Sequence, residues 1–191
     1  MAVRPRLPLV VIGASSGGPA TVERLFRQIE PPVPWAAVLV QHMPAPFTRT
    51  LAERLDRTSL LAVREAQAGD ALEAGQVLVA PGGSHLLFDR RGRVRLAQAP
   101  PVNFVRPAVD VTLQAAAALW GSRLVAVILT GMGRDGTDGC LAVKRHGGQV
   151  WVQDPAEAIM PSMPEHVVAS GAADRVLPVE GLARALGELA W

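Results

Sequence analysis

Three stretches of this chain hold side chains able to do nucleophilic or acid–base chemistry, and each stands where an apolar run gives way to a loop. The first is Leu9-Val10-Val11-Ile12-Gly13-Ala14-Ser15-Ser16-Gly17-Gly18. Within it, Gly13 to Gly17 matches G-x-S-x-G, the strand-to-helix turn that lifts a serine hydroxyl into reach of a substrate. A serine there stands before a helix N-terminus, whose free N–H groups favour negative charge. That suits a developing oxyanion and a bound phosphate equally. The second stretch is His42 in Gln41-His42-Met43-Pro44, and the third is Asp135 in Thr130-Gly131-Met132-Gly133-Arg134-Asp135-Gly136. Serine, histidine and a carboxylate are the nucleophile, base and orienting group of acyl transfer. The main-chain N–H groups of Ser16 and Met132 would then be the oxyanion donors.

Each residue also has an ordinary job. Ser15 and Ser16 could be small residues in a tight turn, or caps of the following helix. Asp135, Thr137 or Asp138 could cap the helix that begins near residue 137. Four histidines compete for the base: His42, His85, His146 and His166. His146 falls at a predicted helix C-terminus, where it complements the dipole, and His166 sits on a short predicted helix. His85 and His42 both follow a strand, in loops that contain proline. His42 is preferred because its loop follows the strand expected beside the serine turn.

The elements that must position these groups read as follows. Strands are expected at 8–12, Trp35–Gln41, Leu60–Val63, Gln76–Ala80, Leu124–Leu129, Gln149–Gln153 and near Arg175–Leu177. Leu86–Phe88 and Arg93–Ala97, joined through Arg90-Arg91-Gly92, form a hairpin pattern. Helical spacing marks Val22, Leu25, Phe26 and Ile29, then Phe47, Leu51 and Leu55, then Val109, Leu113, Ala116, Ala117 and Trp120. Further helices run from the Asp135 loop to His146, follow the Pro161–Pro164 loop, and carry Leu182, Leu186 and Leu189. Alternation of strand and helix predicts an α/β fold: a doubly wound, mainly parallel sheet flanked by helices, with one antiparallel hairpin. In such sheets, sites form beyond the C-terminal ends of the strands, where the Ser15, His42 and Asp135 loops all fall.

Composition narrows the options. The 191 residues are expected to form a single domain, 1–191, and 49% hydrophobic against 19% charged residues suits a compact core. Cys140 is the lone cysteine, so the chain can form no internal disulfide or multi-cysteine metal site. Paired ligands at helical or turn spacing are also missing, so no metal is expected. Four Trp, four Phe and no Tyr argue against a stacking surface for nucleic acid. Arg90, Arg91, Arg93 and Arg95 form a local basic cluster, at best a weak docking patch for an acidic partner. Arg4 and Arg6 precede an apolar run that is too short for a signal peptide, and no run would span a membrane, so a cytoplasmic location is expected. The glycine turn fits neither G-x-G-x-x-G nor the P-loop, and Gln41-His42 stands where a ribose-binding acid would. The order Ser…His…Asp differs from the Ser…Asp…His of the α/β-hydrolases.

Several segments together resemble the catalytic domain of chemotaxis-type protein-glutamate methylesterases. They are Ile12 to Gly18, Gln41-His42-Met43-Pro44, Phe47-Thr48-Arg49 with Ala52 to Leu55, and Ala80-Pro81-Gly82. Pro100-Pro101-Val102-Asn103, Arg106-Pro107, Val109-Asp110-Val111, Leu129 to Gly136 and Met163-Pro164 continue the pattern. The resemblance implies a Ser15–His42–Asp135 triad with the Ser16 and Met132 N–H groups as oxyanion donors. It implies hydrolysis of glutamate γ-methyl esters on the cytoplasmic helices of chemoreceptors, deamidation of receptor glutamines as a further activity, and no cofactor. Relatives carry an N-terminal response-regulator domain. With the serine turn so near Met1, the expectation is a catalytic domain without it: either an excised catalytic fragment or a stand-alone esterase controlled in another way, a separate regulator protein being one such partner. The competing expectation is a non-catalytic α/β module that binds receptor helices or an anionic or nucleotide ligand.

Overall fold

The computed structural model describes residues 7–191, so Arg4 and Arg6 lie outside the described residues. Nine strands and six α-helices alternate among them. The strands are β1 (Leu9–Ala14), β2 (Ala36–Gln41), β3 (Ala62–Glu65), β4 (Gln76–Val79), β5 (His85–Phe88), β6 (Val94–Ala97), β7 (Leu124–Ile128), β8 (Gln149–Gln153) and β9 (Arg175–Leu177). The helices are α1 (Gly18–Phe26), α2 (Phe47–Thr58), α3 (Val109–Trp120), α4 (Thr137–Arg145), α5 (Ser162–Ala169) and α6 (Val179–Gly187). Seven strands form one sheet in the order β3-β4-β2-β1-β7-β8-β9, and every pairing in it is parallel. β5 and β6 form the separate antiparallel hairpin. The expected fold class is therefore the one observed.

The residues of β1, β2 and β7 are uniformly buried because helices cover both faces of the sheet. Successive side chains point to opposite faces. Val10, Ile12 and Ala14 pack with apolar residues of α1, α2 and α6, whereas Leu9 and Val11 pack with α3, α4, α5 and the hairpin. Each fully buried Leu, Ile, Val or Phe contributes about 1.5–3 kcal/mol, so this two-sided core gives the sheet edge a rigid base.

From β1 the chain turns to β2 on one side, and β7 later joins the other side. The crevice at such a reversal is where α/β sheets place ligands. Gly13 at the end of β1 lets α3 come in close: a Cβ there would lie 2.6 Å from Val109 Cγ1. The N-terminus of α3 thereby reaches the end of the sheet where the site lies.

Candidate active site

Ser15 follows β1 directly and is pinned on both sides through its main chain. Its N–H donates to the Thr130 carbonyl beyond β7 at 3.0 Å. Its carbonyl accepts the Gly18 N–H at 2.8 Å and Gln41 Nε2 at 2.8 Å. α1 begins with Gly17 as N-cap and takes no side-chain cap, so neither Ser15 nor Ser16 does that ordinary job. The β7 loop passes beside Ser15 because residue 131 is glycine. A Cβ there would lie 2.8 Å from Ser15 Cβ and 2.2 Å from Met163 Sδ.

His42 continues β2 by one residue, and its N–H donates to the Ala14 carbonyl at 3.0 Å. Ala14 and Gln41 are the last register pair of the two strands, and Ser15 and His42 are the residues that directly follow them. The His42 side chain is nearly buried, and its Nε2 lies 2.6 Å from Asp135 Oδ2. An acceptor at Nε2 selects the tautomer protonated there and leaves the Nδ1 lone pair free.

Asp135 is buried and surrounded by donors. Oδ2 accepts His42 Nε2 and, at 2.6 Å, the Val109 N–H. Oδ1 accepts the Asp110 N–H at 3.0 Å, the Gly136 N–H at 3.1 Å and Asn103 Nδ2 at 2.9 Å. Val109 and Asp110 open α3, whose own N-cap Ala108 has no side chain that could cap. Asp135 therefore caps α3, not the helix that follows it in sequence. α4 has Gly136 as N-cap and is served by Asp110, whose Oδ1 accepts the Gly136 N–H at 3.0 Å and the Gly139 N–H at 2.6 Å. Two facing helices thus exchange aspartates, each capping the other.

The two carboxyls feel opposite balances. Burial pushes Asp135 up, but hydrogen bonds from His42 and from the Asp110 and Val109 main chains outweigh it and hold Asp135 below the usual carboxylate range. Burial pushes Asp110 up to about 6, with the negative charge of Asp135 adding to the effect against the hydrogen bond from Gly139.

The remaining histidines are accounted for elsewhere. His146 and His166 bond with Nδ1 to the carbonyls of Ala142 and Ser162, four residues back on their own helices. His85 opens strand β5 instead of ending a loop, and it is buried. The Ala108 N–H donates to its Nδ1 at 3.2 Å, so Nε2 carries the proton and donates to the Pro100 carbonyl at 3.0 Å. Both nitrogens are spent on clamping the ends of the 98–108 loop. His85→Ala is expected to cost roughly 2–4 kcal/mol in urea unfolding, from lost packing and an unpaired buried main-chain group. Hydrolysis should fall far less than in His42→Ala.

Asn103 and Asp110 carry no site signal in the sequence, because an acid in the first turn of a helix is commonplace. Only the tertiary fold brings them to Asp135. A cavity of about 310 Å³, lined by His42, Met43, Pro44, Val105 and Arg106, opens beside the histidine. Phe104, fully exposed, precedes Val105 of this cavity, and Met132 and Ile159 are exposed as well. Ile159 stands against Gly17 of the serine turn, and Met132 follows Gly131 in the loop after β7. A larger cavity of about 470 Å³ between α2 and β3, lined by Arg49, Glu53, Asp56 and Arg64 among others, contains no residue of this cluster.

Among the described residues, no helix is long and apolar enough to cross a membrane. The model of the CheB methylesterase family matches residues 10–186. A protein-glutamate methylesterase/protein-glutamine glutaminase of Symbiobacterium thermophilum is 50% identical over 189 residues, 96% of this chain and 52% of that protein. A similarly named protein of Pseudomonas aeruginosa is 43% identical, covering 94% of this chain and 49% of its own. The chain thus spans about half the length of the curated relatives it matches. The crystal structure of the Thermotoga maritima CheB methylesterase catalytic domain superposes with a TM-score of 0.92 at 44% identity, covering 96% of this chain and 98% of that one. On fold, site geometry and sequence together, the chain belongs to the CheB methylesterase family.

Proposed function

We propose that residues 1–191 act as one catalytic domain, a serine hydrolase that removes methyl groups from glutamate γ-methyl esters on the cytoplasmic helices of chemoreceptors. The observation that carries this reading is the 2.6 Å bond between His42 Nε2 and Asp135 Oδ2, where Ser15 and His42 directly follow the paired strand ends Ala14 and Gln41. Ser15 Oγ attacks the ester carbonyl and its proton passes to His42 Nδ1. Serine proteases use the ring the other way, with Nδ1–H on the aspartate and Nε2 facing the serine. Asp135, kept ionised by the start of α3, balances the imidazolium.

The tetrahedral oxyanion is received by the N–H groups of Ser16 and Met132. Collapse expels methanol, which takes the proton from His42. Water then attacks the glutamyl–Ser15 ester with His42 as base, and collapse returns the proton to Ser15 Oγ and leaves the receptor's glutamate side chain as a carboxylate. The same steps on a receptor glutamine would release ammonia, in keeping with the second activity in the relatives' names. No step calls for a cofactor, and the reaction takes place in the cytoplasm.

The shallow apolar surroundings suit a side chain presented on the face of another protein. The test is methanol release from a methylated receptor cytoplasmic fragment incubated with the full chain. Release above the uncatalysed rate is expected, and release at that rate overturns the reading.

A further inference from the structure

The triad leaves two polar side chains without a role, buried Asp110 and partly buried Asn103, and their contacts meet around one oxygen of Asp135. Oδ1 of Asp135 has three donors: Asn103 Nδ2, the Asp110 N–H and the Gly136 N–H. Every one is tied to Asp110. The Asn103 amide also donates to Asp110 Oδ2 at 2.8 Å, and the Gly136 N–H also donates to Asp110 Oδ1 at 3.0 Å. The third donor is the main chain of Asp110 itself. Asn103 comes from the 98–108 loop, which His85 clamps at both ends and which Arg106 braces internally through the Gln98 and Ala99 carbonyls. Its φ of +52° is one that asparagine tolerates better than most residues. With Oδ1 occupied in this way, rotation of the carboxylate is blocked and Oδ2 is left facing His42 and the Val109 N–H.

We propose that Asp110 and Asn103 are positioning residues, which hold Oδ1 of Asp135 so that Oδ2 keeps His42 in the tautomer with Nδ1 free. This rests on the reading of the site as a serine-hydrolase triad. Capping α4 alone would not require the Asn103 bridge, because Oδ1 of Asp110 already meets both N–H groups of that helix start. Retaining a second buried carboxylate beside Asp135 works against burial and like charge, as the raised Asp110 titration shows. A neutral asparagine at 110 could not substitute. Its NH2 would face either Asn103 Nδ2 or the N–H groups of Gly136 and Gly139, donor against donor in both orientations.

The test uses the full chain in three forms: wild type, Asp110→Asn and Asn103→Gly, glycine being chosen because it accepts the φ of residue 103. The first readout is the ¹⁵N NMR signature of the His42 ring, assigned by its loss in His42→Gln. The second is kcat and KM for methanol release. Wild type is expected to show one neutral tautomer, protonated at Nε2. Both variants are expected to show mixed tautomers, with kcat lowered tenfold or more and KM within twofold. If both variants keep the wild-type tautomer and a kcat per folded molecule within twofold, the proposal is overturned, even where stability falls. Should Asp110→Asn fail to fold, Asn103→Gly decides by the same criteria. Should wild type release no methanol, the functional reading fails, while the His42 tautomer in Asn103→Gly still decides the positioning role.

Discussion

Ser15→Ala is expected to reduce methanol release by about five to six orders of magnitude, the largest single effect available in this molecule. In the proposed mechanism the hydroxyl is the atom that bonds to the substrate, and alanine leaves no substitute at the turn. The fold should survive, since Ser15 is held by its main-chain N–H and carbonyl, which alanine keeps. His42→Ala should give a similar loss, and the double variant little more than either, because members of a triad act as a unit. Residual release would come from the oxyanion donors and from binding alone. Side-by-side initial rates, with circular dichroism to confirm folding, check both expectations.

Asp135→Asn is expected to lower hydrolysis by about four orders of magnitude and to destabilise the fold as well. Five donors converge on this carboxylate. An asparagine NH2 must point at some of them whichever way the amide turns. Facing His42, it would favour the tautomer with Nδ1 protonated and remove the base. Facing Val109 or Asp110, it would uncap α3. The stability cost should be about 2–4 kcal/mol, from a lost charge at a helix start and an unpaired buried donor. Against a total of roughly 5–15 kcal/mol for a domain, the variant remains folded at room temperature.

The pH dependence has a definite sign. Asp135 titrates below its unfolded range, so its contribution is full above about pH 4 and is lost as pH falls through the lower folded value. Asp110, raised to about 6, acts oppositely: stability falls as pH rises from about 4 to 6, where the folded state must give up a proton that the unfolded chain has already lost. Urea midpoints across pH 3–7 should show a smaller acid-side loss in Asp135→Asn than in wild type, the remainder coming from other lowered carboxyls such as Asp70.

Much of this architecture was legible in local pattern. Gln149–Gln153 and Arg175–Leu177 were expected as strands and are strands to the residue, because short apolar runs bounded by turn residues leave few alternatives. β3 was placed early, over Leu60–Val63, because Leu60 and Leu61 extend the apolar run. Leu60 is in fact exposed, and the strand continues through Arg64 to Glu65 at the sheet edge, where solvent accepts charged side chains. The last helix stops at Gly187, so Leu189 packs on the core from beyond it.

The site divides in the same way. Ser15 and His42 can be proposed as partners from sequence because adjacent parallel strands put their loops side by side. The partners of Asp135 cannot, because capping by an aspartate from another element has no local signature. His85 shows the converse: its loop setting resembles that of His42, and only burial with both ring nitrogens bonded reveals a clamp.

The central claim is that one particular hydroxyl of the Ser15-Ser16 pair carries the reaction. Initial rates of methanol release from a methylated receptor fragment, compared for wild type, Ser15→Ala and Ser16→Ala, test it most directly. Ser16 is assigned only its main-chain N–H, so Ser16→Ala is expected to stay within about tenfold of wild type while Ser15→Ala loses at least four orders of magnitude. A Ser15→Ala protein that releases methanol at the wild-type rate, or a loss confined to Ser16→Ala, would contradict the account.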